Sequence, residues 1–163
     1  MNQPLKINYR ENVVPGDIVI VEDLVKSTGF FNLEEIHVAV ELVEDRLSQG
    51  ESSGYYFIFA EIDGQTVAYS CYGPIHGTQS SFDIYWIATH NSQRGKGIGK
   101  ILIKETEKRI ALVKGKNIYV ETASKPQYEP TRKFYDNCGY VLEARLKQFY
   151  ADDDDKLIYV KRV

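Results

Sequence analysis

The sequence predicts an α/β domain with a mixed sheet, and two observations support this. Strand-like runs rich in β-branched and aromatic residues alternate along the chain with segments of helical periodicity. The chain has 163 residues, 43% of them hydrophobic, which is the size and composition of one domain with its own core. We therefore expect a single domain over residues 1–163.

The first half of the chain predicts a strand, a helix and a three-stranded meander. The run DIVIV, residues 17–21, is typical of a strand. An amphipathic helix follows, with Asn32 as its N-cap and Gly50 as its stop. Its apolar positions are Leu33, Ile36, Val40, Val43 and Leu47. The Asp63-Gly64 turn between YYFIFAEI and QTVAYSCYG predicts a hairpin, and FDIYWIAT adds a third strand.

The second half predicts a helix, a strand, a short helix and a final hairpin. The first of these helices closes at Lys114-Gly115 and is followed by the strand NIYVET. Pro130 fits the first position of the short helix and Gly139 its C′ position. Residues 140–150 and 157–163 are predicted strands joined by ADDDDK, which we expect to be a solvated hairpin tip.

Composition and motifs argue against several classes of protein. The formal charge of −3 provides no global basic field for nucleic acid. Cys71 and Cys138 lie in no metal-binding or disulfide spacing, so we expect no metal and a reducing, cytoplasmic setting. No run approaches the 18 apolar residues typical of a spanning helix, so no membrane partner is expected.

The segment QRGKGIGK, residues 93–100, predicts an anion-binding loop. It is not a Rossmann fingerprint, because Lys100 stands where the third glycine is required. It is not a Walker A loop either, because Arg94 and Ile101 replace the required glycine and hydroxyl residue. An Arg-x-x-Gly-x-Gly pattern between a strand and a helix remains, and its backbone N–H groups can face a phosphate.

With this loop in WIATHNSQRGKGIGKILI, and with the later segment YEPTRKFYDNCGYV, the sequence resembles the GNAT superfamily of acyl-CoA-dependent N-acetyltransferases. Arg94, Gly97 and Gly99 match the family signature directly. The resemblance is clear from about Tyr55 to Tyr140. It implies a mixed, mostly antiparallel sheet of six to seven strands flanked by about four helices.

The resemblance also implies acetyl-CoA as co-substrate and assigns the residues that hold it. The loop N–H groups hold the pyrophosphate of coenzyme A, and the backbone of the preceding strand holds the pantetheine arm. The implied cofactor-binding residues are Ile87, Ala88, Thr89, Arg94, Gly95, Lys96, Gly97, Ile98, Gly99 and Lys100.

The chemistry is attack of an amine on a thioester, which requires an unprotonated amine and a proton for the leaving thiolate. The resemblance assigns the acid to Tyr135, in the family's "FY" pair. Helical geometry places Phe134, Cys138 and Pro130 on one packed face and turns Tyr135 about 100° to the side. For the base, Asp83 lies at the position of the glutamate in histone-type members; Glu121 and an ordered water are alternatives.

We therefore expect an enzyme that acetylates the primary amine of a small molecule, an amino acid or a polyamine-like acceptor. The alternatives are a catalytically silent acyl-CoA-binding sensor, a protein-lysine or N-terminal acetyltransferase, and a nucleotide-phosphate binder, against which the loop register argues. A homodimer is possible.

Overall fold

The computed structural model describes residues 4–163. Within them the chain forms seven strands and four α-helices. In chain order these are β1 (Asn8–Arg10), α1 (Asp17–Ser27), α2 (Leu33–Gln49), β2 (Tyr56–Ile62), β3 (Gln65–Pro74), β4 (Ser81–Thr89), α3 (Ile98–Leu112), β5 (Asn117–Ala123), α4 (Glu129–Asn137), β6 (Val141–Ala151) and β7 (Asp154–Arg162). Short 3₁₀ turns precede β2, α3 and α4.

The seven strands form one sheet in the order β1-β2-β3-β4-β5-β7-β6. The pairs β1–β2, β2–β3, β5–β7 and β6–β7 are antiparallel, whereas β4 pairs with β5 in parallel. The final strand β7 lies between β5 and β6, so β6 forms an edge of the sheet. The predicted mixed, mostly antiparallel sheet with about four helices is confirmed.

The chain groups into two compact units, one of residues 1–73 and 86–106 and the other of residues 74–85 and 107–163. The expectation of one domain over residues 1–163 stays a prediction.

The core of the first unit combines α1, α2 and the aromatic side chains of β2 and β3. The rings of Phe57, Phe59 and Tyr69 are fully buried and stack with centroids 5.8 to 6.4 Å apart. The helical residues of this core are Val21, Leu24 and Val25 of α1 and Ile36, Ala39 and Val43 of α2. These two helices therefore cover an aromatic sheet face.

The strand predicted for residues 17–21 is wrong, because these residues begin helix α1. Val21, Leu24 and Val25 are buried, whereas Val19 is 66% exposed. That spacing follows a helix and not an alternating strand. The β-branched run DIVIV is only the first part of an amphipathic helix whose apolar face continues to residue 25.

A buried ion pair at the start of α1 explains why the helix begins there. Asp17 is fully buried, and its carboxylate accepts from the backbone N–H of Val14 at 2.8 Å. The Arg10 guanidinium donates to both Asp17 oxygens, at 2.8 and 2.9 Å, and also to Glu61 at 2.8 Å. This arrangement ties β1, a strand that the sequence did not predict, to α1 and β2.

Several predicted boundaries are confirmed. Helix α2 starts after Asn32, whose side chain forms a reciprocal capping box with Glu35, and it ends at Gly50. The Asp63-Gly64 turn, with both residues at positive φ, joins β2 to β3. One apolar position of α2 is an exception, since Leu33 is 80% exposed.

The second unit contains β5, β7, β6 and α4. Its predicted solvated tip is only partly correct, because strand β7 begins inside the acidic run. Asp152 and Asp153 are exposed, but Asp154 is buried and accepts from the backbone N–H groups of Ser124 and Lys125 at 3.1 and 3.3 Å. Asp154 thereby fixes the connection from β5 to α4.

Candidate functional site

The glycine loop of the first unit has two residues in the left-handed region of backbone conformation. Gly95 and Gly97 have φ angles of +77° and +78°, a region that side chains disfavour. A Cβ atom added at either residue would meet nothing within 4 Å. Space therefore remains beside the backbone at both positions, where a phosphate could approach the N–H groups.

Helix α3 starts directly at the end of this loop. The first bond of the helix runs from the Ile101 N–H to the Gly97 carbonyl, at 3.1 Å. The N–H groups of Ile98, Gly99 and Lys100 precede it and have no partner within the helix. Ile98 is buried and fixes the helix start, whereas the side chain of Lys100 is exposed. Free N–H groups and the helix dipole favour an anion at this position.

The start of the loop is tied to the end of α1. The Asn91 N–H donates to the Ser27 hydroxyl at 3.0 Å, and the Arg94 guanidinium lies 5.1 Å from the centre of the Phe30 ring. The His90 ring accepts from the backbone N–H of Ser92 at 3.2 Å. These contacts hold the loop in place, and the basic side chains of Arg94, Lys96 and Lys100 are exposed around it.

The end of β4 leads into this loop in the same unit. Ala88 is buried, whereas Ile87 and Thr89 are half-buried. The N–H of His90, just past the strand, donates to the Val67 carbonyl at 2.8 Å. The first unit thus brings together all ten predicted cofactor-binding residues in one stretch, and their contacts with the cofactor stay predictions.

The second unit holds a group of charged side chains on three neighbouring strands: Asp83 of β4, Glu121 of β5 and Lys156 of β7. Asp83 is half-buried and belongs to the last pair in the β4–β5 register, opposite Tyr119. The Lys156 ammonium lies 2.7 Å from a Glu121 oxygen and 4.4 Å from the centre of the Phe149 ring. We call Asp83, Glu121 and Lys156 the charged triad.

Burial raises the pKa of Asp83 from 3.8 to about 6, and the negative charge of Glu121 adds to this while Lys156 opposes it. A carboxylate with this pKa is mostly ionised at pH 7 and can still accept a proton. Glu121 is already paired with an ammonium group. The arrangement therefore favours Asp83 over Glu121 as a base.

The predicted facing of α4 is wrong for Pro130, Phe134 and Tyr135, whereas Cys138 is buried as predicted. Tyr135 is the buried residue of the helix, with only 6% of its surface exposed, whereas Pro130 is exposed and Phe134 is half-buried. The Tyr135 ring lies 5.8 Å from that of Tyr140 and 6.1 Å from that of Tyr159. These tilted rings surround Tyr135 on the inner side of the helix. Burial raises its pKa further above neutral pH, so the phenol stays protonated there.

Sequence reasoning missed the part that Lys156 plays. The sequence predicts that Lys156 belongs to a solvated hairpin tip, because ADDDDK lies between two strand-like runs. Lys156 lies on strand β7, and the alternation of Leu157, Tyr159 and Lys161 with the residues between them is the sequence signal for this strand. The acidic run before Lys156 hides where the alternation begins.

In residues 4–163 no three His, Cys, Asp or Glu side chains are grouped so that they could hold a metal ion. No helix within the same range is long and apolar enough to cross a membrane.

Comparison with known proteins identifies the family. A family model described as "Acetyltransferase (GNAT) domain" matches residues 53–142. The chain belongs to the GNAT family. A GNAT-family protein from Desulfovibrio desulfuricans is similar in structure, with a TM-score of 0.94 and 40% sequence identity over 96% of this chain and 99% of that one. No curated protein matches the sequence significantly.

More distant GNAT structures share the fold. An aminoglycoside 6′-N-acetyltransferase in complex with coenzyme A is 18% identical, with 96% of both chains covered and a TM-score of 0.74. The ribosomal-protein-S18-alanine N-acetyltransferase from Escherichia coli is 13% identical, covers 97% of this chain and 94% of its own, and has a TM-score of 0.73. Family membership makes this protein an acetyl-CoA-dependent N-acetyltransferase, with acetyl-CoA as its co-substrate.

Proposed function

We propose that this GNAT enzyme transfers the acetyl group of acetyl-CoA to the primary amine of a small molecule, an amino acid or a polyamine-like compound, by direct attack. The observation that carries the proposal is the half-buried Asp83 carboxyl, whose pKa of about 6 suits a base at neutral pH. Two carboxylates and one ammonium leave the charged triad net negative, which favours a cationic amine before it loses its proton.

The loop of the first unit fits the pyrophosphate of coenzyme A. Gly95 and Gly97 leave open space at the backbone, and the N–H groups at the start of α3 are directed along the helix axis. Arg94, Lys96 and Lys100 add positive charge at the surface. We assign the pantetheine arm to the backbone of Ile87, Ala88 and Thr89, following the family resemblance.

Acetyl-CoA supplies a thioester whose acetyl carbon accepts the amine and whose thiolate leaves. In our proposal Asp83 takes the proton from the attacking amine, directly or through a water. Tyr135 gives its phenolic proton to the departing sulfur. The buried phenol carries its proton at neutral pH, which this role requires. Neither cysteine is assigned a role as nucleophile, since both are buried and burial raises the pKa of Cys71 well above its usual range.

A panel of amines tests the proposal. The panel contains amino acids, diamines and polyamines, together with peptides that present a free N-terminus or a lysine. Release of coenzyme A thiol is measured with each acceptor, and binding of acetyl-CoA is measured by calorimetry. Turnover with small amines but not with peptides supports the proposal. Turnover with peptides alone favours a protein acetyltransferase, and binding without any turnover favours a silent sensor.

We also propose a homodimer that forms through β6. This edge strand is exposed along nearly its whole length and carries Val141, Leu142, Leu146, Phe149 and Tyr150 among its exposed side chains. Exposed apolar edge strands are pairing sites for a second chain. Size-exclusion chromatography with light scattering should give twice the monomer mass of 18.7 kDa, and Leu146→Lys should restore the monomer.

The two free, buried cysteines support the expectation of a reducing, cytoplasmic setting.

A further inference from the structure

The helix that carries Tyr135 ends in a network of hydrogen bonds. Lys161 of β7 reaches this helix end, and its ammonium donates to the Cys138 carbonyl at 2.8 Å. The same ammonium lies 3.0 and 2.9 Å from the two carboxylate oxygens of Glu107. An ammonium group has three N–H donors, so these three acceptors satisfy it fully. The charge also lies at the negative end of the helix dipole.

Glu107 links this ammonium to a tyrosine. Its side chain is almost fully buried, and the hydroxyl of Tyr140 donates to it at 3.1 Å. The backbone N–H of Tyr140 in turn donates to the Tyr135 carbonyl at 3.0 Å. Since the rings of Tyr140 and Tyr135 are in contact, the hydrogen bond to Glu107 sets the orientation of both rings.

We infer that Lys161 is a positioning residue for Tyr135, acting through Glu107 and Tyr140. The inference rests on the proposed role of Tyr135 as proton donor. Helix α4 has only nine residues, and a helix of this length is marginal without tertiary contacts. Lys161 supplies such a contact at the helix end nearest Tyr135. A proton donor displaced by a fraction of an ångström transfers its proton less efficiently.

The first test is Lys161→Met, which keeps the length of the side chain and removes its donors. We expect kcat to fall about tenfold, with the KM for acetyl-CoA within twofold of the wild-type value. Lys161→Arg, which keeps charge and donors, should recover part of the rate. Arg162→Gln is the matched control, because it removes a neighbouring charge on the same strand whose ion pair with Glu143 is exposed. It should leave kcat unchanged.

The double variant Lys161→Met with Tyr135→Phe distinguishes a positioning role of Lys161 from a general loss of structure in the active site. The phenyl ring keeps the packing but has no proton to give, so Lys161→Met should lower kcat no further in this background. An equal tenfold loss there would overturn the positioning role while leaving Tyr135 as the donor. If Tyr135→Phe alone keeps full kcat, the proposed role of Tyr135 itself is wrong, and the positioning role is wrong with it.

Tyr140→Phe provides a second route if Lys161→Met does not fold. This variant keeps the ring contact with Tyr135 and removes only the hydroxyl bound to Glu107. We expect the same pattern, with kcat lowered in the wild-type background and unchanged in the Tyr135→Phe background. Equal losses in both backgrounds would contradict the inference.

Discussion

Replacement of Asp83 by asparagine has an effect that depends on pH in a predictable way. With a pKa of about 6, Asp83 is about 90% ionised at pH 7 and about 10% ionised at pH 5. A carboxyl group with an ordinary pKa near 3.9 would still be about 90% ionised at pH 5. If ionised Asp83 is the base, the advantage of wild type over Asp83→Asn should therefore shrink about tenfold between pH 7 and pH 5.

The assay measures kcat/KM for the amine by thiol release at half-unit steps from pH 5 to 8. Protonation of the amine itself also changes with pH, but it affects both enzymes equally and cancels in their ratio. A difference in folding stability should not account for a lower rate of the Asp83→Asn variant at pH 7. Since the folded-state pKa of Asp83 is raised, its ionisation lowers stability as pH rises through about 4 to 6. The asparagine variant should thus be at least as stable as wild type at pH 7, which thermal melting checks.

The two other members of the charged triad should shift, in opposite directions, the pH at which half of the rate advantage conferred by Asp83 is lost. Glu121→Gln removes a negative neighbour and should shift it below pH 6, whereas Lys156→Met removes a positive one and should shift it above pH 6. Lys125→Met is the control, because its ion pair with Asp153 is long and exposed. A ratio that stays constant from pH 5 to 8, or midpoints that move in the same direction, would refute the assignment of Asp83 as the base.

Two further substitutions test the loop and the first unit. Gly97→Leu and the control Gly77→Leu place a side chain at nearly equal φ angles, +78° and +80°, so each should lose roughly 1–2 kcal/mol of stability. Only Gly97→Leu should abolish acetyl-CoA binding in calorimetry. Equal binding by both variants would contradict the proposal that the loop around Gly97 binds the phosphates of acetyl-CoA. Asp17→Ala removes the buried partner of Arg10 and should lower the free energy of unfolding by about 1.5–3 kcal/mol in urea titrations, because Arg10 keeps Glu61 as a partner. Glu22→Gln, which removes an exposed pair within the same helix, should change it by less than about 0.5 kcal/mol, and similar losses in both would contradict the role of the Arg10–Asp17 pair.

Much of the fold followed from local signals in the sequence. The capping box at Asn32, the Asp63-Gly64 turn and the glycine at position 139 each determine backbone geometry within a few residues, so they could be recognised without tertiary contacts. The loop from Arg94 to Gly99 was recognisable for the same reason. A phosphate-binding backbone requires glycines at specific spacings, and those spacings are visible in the sequence.

The failures concern features that depend on distant partners. Residues 17–21 look like a strand in isolation, and only the buried pair with Arg10 and the packing of residues 21–25 make them helical. The facing of Tyr135 depends on rings from Tyr140 and Tyr159, which follow it in the sequence by 5 and 24 residues. Lys156 joins Glu121 only because β7 inserts beside β5. No local pattern contains this information.

The insertion of β7 between β5 and β6 also has a consequence for synthesis of the chain. β5 is complete at residue 123, but the strand that pairs with it along its full length is not made until residues 154–162. The nascent second unit therefore keeps an open sheet edge until its last strand leaves the ribosome. β6 cannot pair into the sheet earlier, because β7 is also its partner. A chain stalled near residue 150 would expose the edge of β5, a target for chaperones or proteases.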